Sequence, residues 1–286
     1  MTLLDRTFVL VLKHPLHFLG LTLKGFSRNQ GLLLAGAIAY YALLSLVPLL
    51  ILAVIVLSRV IDEADLLRVL AHYLEWLVPS QSKAFLVDLS QVLDNRLAIG
   101  AVLLITMLFF SSVAFSALEK AMAVIFSHRA GARKRHALVS VLLPYCFVLL
   151  LGSLLFTVTL VSIGLQALAQ ESINIIGHTW SLRGVSGLLL YLLGLATEIL
   201  ILTAVYYVIP VGRLPLRHAL IGGITATFCW EIIRHVLVWY FTTLSKASIV
   251  YGSLTTAVVA LFSMEIAATV LLFGAQVISE YERMEV

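Results

Sequence analysis

Residues 31–57 read GLLLAGAIAYYALLSLVPLLILAVIVL, a run without a single charged side chain. A helix of this length, rising about 1.5 Å per residue, is longer than the roughly 30 Å hydrocarbon core of a bilayer. Five more long apolar stretches follow, and we therefore predict six transmembrane helices. The predicted spans cover residues 31–57, 97–118, 137–168, 185–208, 219–241 and 253–278.

The composition supports a membrane protein. Charged residues make up 12% of the chain and apolar residues 61%, with a mean hydropathy of +1.06, whereas soluble domains carry roughly 25% charged residues. So few charges would not cover the surface of a soluble protein of this length. The predicted fold class is all-α and polytopic, with residues 1–286 forming a single six-span membrane domain.

Two segments outside the spans have amphipathic patterns. Residues 1–30 are predicted to be a cytoplasmic amphipathic segment, in which residues 7–18 lie along the membrane surface. The loop 59–96 is predicted to hold two amphipathic helices outside the membrane, separated at Pro79. Apolar residues recur at helical spacing in its first half: Leu66, Leu70, Leu74 and Leu77.

The positive charges predict the orientation of the chain. Cytoplasmic loops of membrane proteins are enriched in lysine and arginine, and one side of the predicted topology carries most of these residues. That side holds Arg6, Lys13, Lys24, Arg28, Arg129, Arg133, Lys134, Arg135, Arg213, Arg217 and Arg283. We therefore expect both termini in the cytoplasm and the 59–96 loop on the opposite face.

Ionisable residues within the spans are the first candidates for function, because a charge at mid-bilayer costs several kcal/mol unless it is paired or faces a cavity. Glu231 and Arg234 are three residues apart and share one face of the fifth span. They are interpreted either as a binding site for an anion or as an internal ion pair that fixes helix packing. Glu198 and Glu265, in the fourth and sixth spans, are candidate proton or cation sites.

A polar stretch interrupts the first span. Tyr40, Tyr41, Ser45 and Pro48 lie close together there, and broken helices often line the binding sites of transporters. The alternative is a set of interfacial tyrosines and an ordinary proline kink.

Small residues indicate structural positions. Gly222 and Gly223 permit close helix packing, and Tyr251 and Gly252 form a turn or cap before the sixth span. No metal site or cofactor is predicted, since the eight histidines are scattered and no Gly-rich phosphate loop occurs. The basic loop 129–136 is not interleaved with aromatic residues, so nucleic acid is not an expected partner. Membrane lipids are the expected partners.

Several blocks resemble the YihY/BrkB family of bacterial inner-membrane proteins, once mislabelled as ribonuclease BN. The first is LAGAIAYYALLSLVPL, residues 34–49, and later blocks run from 117 through the basic loop, from 207 to 222 and from 250 to 275. The resemblance implies a six-helix protein of the bacterial inner membrane with a suggested role in transport and a link to virulence in some members. One position departs from the pattern, since Gln276 stands where the family usually has glutamate.

The predicted function is a transporter or flippase-like protein for an anionic amphiphile or a small anion. A cavity lined by spans one, four, five and six would hold Arg234 against the anion and Glu231 as its orienting partner, with Glu198 or Glu265 coupling protonation. The alternative is a non-transporting envelope scaffold that docks a partner through the 59–96 loop. An enzyme is not predicted, because no nucleophile–base pair occurs and the ribonuclease label fits no residues in the chain.

Overall fold

The described part of the chain contains six α-helices of 14 to 33 residues. The computed structural model describes residues 11, 13–59, 91–93, 95–129, 153–154, 156–161, 163, 173–175, 178–180, 183–210, 214–244 and 253–285. The helices are α1 Pro15–Arg28, α2 Gly31–Leu57, α3 Arg96–Ile125, α4 Arg183–Val208, α5 Leu216–Leu244 and α6 Ser253–Glu285. A single 3-10 turn, Ser127–Arg129, follows α3.

Five of these helices, α2 to α6, are long and apolar enough to cross a membrane. They correspond to the predicted first, second, fourth, fifth and sixth spans. The predicted third span, 137–168, is described only at 153–154, 156–161 and 163, where it is helical. The sixth helix runs on to Glu285 instead of ending at 278. Its last turns are polar, and their side chains form hydrogen bonds and ion pairs that stabilise the helix end.

Helix α1 precedes the first span and begins one residue after His14. Pro15 occupies its first turn, where the missing N–H removes no intrahelical bond. The predicted amphipathic stretch 7–18 overlaps α1 only from 15 onward, and residues 1–10 and 12 lie outside the described structure. The helix buries Phe26, whose ring meets Phe273 of α6 edge-on at 5.9 Å. Two residues after its end, Gln30 has a left-handed backbone with φ 53°.

A short β-hairpin precedes α4. Strands β1 Ile173–Ile175 and β2 His178–Trp180 pair in antiparallel register, with Ile173 opposite Trp180. Isoleucine, threonine and tryptophan favour extended backbone, which accounts for this departure from an all-helical chain. The predicted 59–96 loop lies outside the described residues between 60 and 90, and so do Tyr251 and Gly252.

The chain divides into two compact units. The first comprises Met1–Gly31, Glu119–Arg234 and Val270–Val286, and the second comprises Leu32–Leu118 and His235–Thr269.

The core of the first unit forms around Tyr206 of α4, which is fully buried. Its hydroxyl donates to the backbone carbonyl of Leu271 in α6 at 2.8 Å. Gly274 lies against this ring and against Ala226 of α5. A tyrosine buried in an apolar core needs such a partner for its hydroxyl, so this bond holds α4 and α6 at one separation.

Helices α4 and α5 approach closely at Gly223. A Cβ built there would lie 3.1 Å from the backbone oxygen of Ile199 and 3.2 Å from the backbone nitrogen of Thr203. Gly222 faces the side chains of Ile278 and Tyr206 instead. Small residues at such crossings allow close backbone approach, which is a main source of helix association in membranes.

In the second unit, α2 contacts α3 and α6, and α5 contacts α6. Ile55 lies 3.8 Å from the position of a Cβ on Gly100, and the rings of Tyr240 and Phe262 are 6.5 Å apart. Many large apolar side chains on these helices are exposed, including Leu104, Ile105 and Phe109. Such a surface suits contact with hydrocarbon and would be unfavourable in water.

We expect Gly223→Ala to lower the stability of the folded protein by about 1–3 kcal/mol, the usual range for overpacking. The reason is that the new methyl group meets backbone atoms of α4, which cannot rotate away. Thermal unfolding in detergent micelles measures the change.

Gly187→Ala is the matched control, because a Cβ at that position of α4 has nothing within 4 Å. It should leave the unfolding temperature unchanged or raise it slightly, since alanine is the better helix former. Equal unfolding temperatures for the two variants would contradict the close approach at Gly223.

Candidate functional site

Two helices of the first unit bring three polar side chains together. The Tyr191 hydroxyl of α4 donates to Glu231 Oε1 of α5 at 2.6 Å. Arg234, one turn later on α5, donates from Nη2 to the same oxygen at 2.6 Å. The i, i+3 spacing on α5 makes the ion pair local, and Tyr191 ties it to the neighbouring helix.

These side chains line a pocket of about 240 Å³ between α4 and α5. Its described lining consists of Leu190, Tyr191, Gly194, Leu195, Glu198, Trp230, Glu231 and Arg234. Tyr191 and Glu198 are seven residues apart on α4 and share one face, since two helical turns separate them. The Arg234 side chain is 49% exposed, whereas that of Glu231 is 17% exposed, so the guanidinium is the more accessible partner.

The pocket combines charges of both signs inside helices that are apolar enough to span a membrane. An uncompensated charge in such a position costs about 3 kcal/mol or more. The negative charge of Glu231 is compensated by its ion pair with Arg234 and by the hydrogen bond from Tyr191. Glu198 supplies a second carboxylate in the same pocket. The arrangement can therefore bind a charged group that enters from the open side of Arg234.

The structure brings only part of the predicted site together. Glu198, Glu231 and Arg234 line one pocket, and they come from the predicted fourth and fifth spans. Glu265 lies in the second unit, where its Oε1 is 3.7 Å from the position of a Cβ on Gly36. It is not among the described residues that line the pocket.

The polar stretch of the first span also belongs to the second unit. Ser45 donates its hydroxyl to the carbonyl of Ala42 at 2.8 Å, a local bond that is common for serine inside helices. The rings of Tyr40 and Tyr41 meet edge-on at 5.3 Å, and Pro48 lies inside an uninterrupted α2. None of these four residues is among the described residues that line the pocket between α4 and α5.

Tyr191 and Trp230 are pocket residues that the sequence analysis missed. Tyr191 precedes Glu198 by two turns, and Trp230 directly precedes Glu231. The spacing of Tyr191 from Glu198 was a usable indication. The charged residues alone do not indicate Tyr191.

A second polar cluster surrounds Glu282 near the end of α6. Arg129 Nε donates to Glu282 Oε2 at 2.8 Å, and Arg129 Nη2 donates to the other carboxylate oxygen. His128 Nε2 lies 3.2 Å from Oε2, and His218 Nδ1 lies 3.0 Å from Oε1. Glu282 is only 7% exposed, so one buried carboxylate has three partners.

This Glu282 cluster connects three helix ends. His128 and Arg129 follow α3, His218 lies in the first turn of α5, and Glu282 lies in α6. The buried hydroxyl of Ser279 donates to the carbonyl of Ile125 at 2.9 Å, which adds a further bond between α3 and α6. Among the residues the structure describes, no group of three or more His, Cys, Asp or Glu side chains could hold a metal ion. The ion pairs and hydrogen bonds of the Glu282 cluster therefore stabilise the packing of the three helix ends.

Gln276 has a specific set of partners. It is completely buried, accepts a hydrogen bond from Asn29 Nδ2 at 2.9 Å and donates from Nε2 to Glu280 Oε1 at 2.9 Å. Gly25 of α1 packs directly on this pair. The amide can donate to the Glu280 carboxylate, whereas a second carboxylate at position 276 could not unless one group were protonated. Glutamine is therefore matched to Glu280.

We expect Gln276→Glu to destabilise the contact of α1 with α6, because two carboxylates would then face each other in a buried position. The loss of stability should be about 2 kcal/mol. It should be larger at pH 8 than at pH 5, where protonation of one carboxyl group removes the repulsion. Thermal unfolding at the two pH values measures the effect.

The double exchange Gln276→Glu with Glu280→Gln is the control, since it restores one amide and one carboxylate. It should recover most of the lost stability. If the single variant unfolds like the parent at both pH values, the proposed match between Gln276 and Glu280 is wrong.

Glu282→Gln should lower the free energy of unfolding by about 3 kcal/mol, as is typical when one partner of a buried charge network is removed. Arg129 would lose the negative charge that it pairs with, and the amide would offer one acceptor oxygen where the cluster uses two. Glu285→Gln is the comparison, because Glu285 is more exposed and contacts only one of these residues, His218, at 3.3 Å; it should cost less than about 1 kcal/mol. Chemical denaturation in micelles distinguishes the two variants. Similar losses in the free energy of unfolding would argue against a stabilising role of the Glu282 cluster.

Comparison with known proteins places the chain among membrane proteins. It is 27% identical over 252 residues to a UPF0761 membrane protein of Alkalilimnicola ehrlichii, covering 88% of this chain and 55% of that protein. It is 24% identical over 262 residues to one of Alteromonas mediterranea, covering 90% and 85%, and 22% identical over 267 residues to one of Haemophilus influenzae, covering 91% and 93%. The chain thus spans little more than half of the first relative and most of the other two.

No solved structure matches the chain. The names of these relatives describe membrane proteins and no catalytic activity. Residues 22–286 match the sequence profile of the family described as Virulence factor BrkB, and this match covers nearly the whole chain. The chain is therefore an integral membrane protein with several apolar helices, and it belongs to the virulence factor BrkB family.

Proposed function

We propose that the protein is a transporter or flippase-like protein that binds the anionic group of an amphiphile in the pocket between α4 and α5. The observation that carries this proposal is the half-exposed Arg234, held by Glu231 in a pocket within two helices that can span a membrane. A guanidinium fixed by a carboxylate on one side still has further N–H donors for a phosphate or carboxylate ligand.

The apolar surroundings of the pocket favour an amphiphile over a small anion. A volume of about 240 Å³ is below the usual range of about 300–1,000 Å³ for sites that enclose a whole drug-sized ligand. Large apolar side chains on the same helices are exposed, among them Leu192, Phe228 and Ile232. A head group can occupy the pocket while its acyl chains lie along this apolar surface.

We also propose that the protein lies in the inner membrane with both termini in the cytoplasm. The basic residues at the predicted cytoplasmic side support this orientation. Those in the described structure include Lys24, Arg28, Arg129, Arg217 and Arg283. The alternative function, a scaffold that docks a partner through 59–96, concerns a segment that is largely outside the described residues and stays a prediction.

Arg234→Ala should slow the transfer of an anionic lipid across the bilayer by about tenfold or more, because a charge-assisted contact of this kind contributes roughly 1.5–3 kcal/mol. Purified protein is reconstituted in vesicles that carry phosphatidylglycerol labelled on an acyl chain. Dithionite quenching then follows the arrival of labelled lipid at the outer leaflet. A dye quenched by iodide, enclosed in parallel vesicles, tests passage of a small anion.

Arg28→Ala is the matched control, since it removes the same type of side chain from α1, outside the pocket lining, and it should leave transfer unchanged. Arg234→Lys should retain part of the activity, because the charge is kept but the planar guanidinium is lost. Transfer by the parent no faster than in protein-free vesicles, or equal transfer by the parent and Arg234→Ala, would refute the proposal.

A further inference from the structure

We infer that the pocket between α4 and α5 selects a zwitterionic head group, one that carries a phosphate and an ammonium ion together. This inference rests on the proposed function and specifies its substrate class. The ammonium is assigned to Glu198 and the rings beside it, and the phosphate to Arg234.

The charges in the pocket are unequal. Its described lining contains two carboxylates, Glu198 and Glu231, but one guanidinium, Arg234. Because Arg234 already donates to Glu231 at 2.6 Å, its charge is largely offset before a ligand arrives. Glu198 then adds a second negative charge. A ligand that is only anionic would be attracted by one paired arginine and repelled by Glu198.

A ligand with charges of both signs resolves this imbalance. Its phosphate can bind the exposed side of Arg234, whose side chain is 49% exposed. Its ammonium can donate to the Glu198 carboxylate and so neutralise the charge that is in excess. Both ligand charges then have partners, as is needed when charged groups are transferred into surroundings of low dielectric constant.

The aromatic side chains of the pocket point to the same cation. Trp230 and Tyr191 both contribute to the lining, and the faces of such rings attract ammonium groups, tryptophan most strongly. The Tyr191 hydroxyl is bonded to Glu231, which fixes this carboxylate beside Arg234 and leaves the cation to Glu198. Three of the eight described lining residues thus favour a cation, namely Tyr191, Glu198 and Trp230.

The test is competition between two lipids that have the same acyl chains. The full-length protein in micelles is incubated with equimolar phosphatidylethanolamine, which carries phosphate and ammonium, and phosphatidylglycerol, which carries phosphate alone. Native mass spectrometry counts the molecules of each that stay bound. The parent should retain phosphatidylethanolamine with a preference of at least about fivefold, equivalent to roughly 1 kcal/mol.

Glu198→Gln should reduce this preference to about one while it still binds phosphatidylglycerol, because only the cation partner is lost. Trp230→Leu, a second variant, should weaken the preference without abolishing binding. Glu119→Gln is the control, since it removes a carboxylate of α3 that is outside the pocket lining, and it should keep the parental preference. Circular dichroism verifies that each variant is folded.

The outcomes separate the inference from the function on which it rests. Equal binding of the two lipids, a preference for phosphatidylglycerol, or a preference that survives Glu198→Gln would overturn the zwitterion assignment, even where Arg234→Ala still loses bound lipid. If the parent retains neither lipid above the level of bulk micelle lipid and Arg234→Ala changes nothing, the proposed function fails as well.

Discussion

The close approach of α4 and α5 at Gly223 is the constraint on which the candidate site depends. The site needs Tyr191 and Glu198 of one helix to face Glu231 and Arg234 of the other, and a hydrogen bond of 2.6 Å across the helices tolerates little displacement. Because no hydrophobic force draws helices together in lipid, small residues that allow backbone contact take over that role. The position of one glycine therefore affects the geometry of the charges on both helices.

The polar residues of the first unit form two clusters with different charge balance. Around Glu282, one buried carboxylate is surrounded by an arginine and two histidines, so its hydrogen-bonding capacity is used and the cluster is enclosed. The pocket lining contains two carboxylates and one arginine, which is half exposed and paired with Glu231. A satisfied, enclosed network stabilises the fold, whereas a pocket with unequal charges and an open side is suited to a ligand. This contrast supports a structural role for the Glu282 cluster and a binding role for the pocket between α4 and α5.

The presence of an amide at Gln276, where the resemblance predicts glutamate, is explained by the neighbours of this residue. In isolation the residue reads as a lost charge within the sixth span. Its contacts with Asn29 and Glu280 show instead that an amide, which both donates and accepts, is what this buried position requires. The carboxylate expected at 276 has a counterpart one turn later, at Glu280. The amide at position 276 therefore affects the packing of α1 on α6. Gln276 is not among the described residues that line the pocket.

Five of the spanning helices and the Glu231–Arg234 pair follow from the sequence alone. Both are local properties, since a span is a run of apolar residues of sufficient length and an i, i+3 pair lies within one helical turn. The sequence did not indicate which side chains accompany Arg234 in the pocket, since Tyr191 and Trp230 line it and neither carries a charge that would mark it within a span. Nor did it indicate that Glu282 would meet His218 and His128, which are 64 and 154 residues away. Those contacts arise only when α3, α4, α5 and α6 pack, because the rotation and depth of each helix are fixed by shape complementarity between side chains that are distant in the chain.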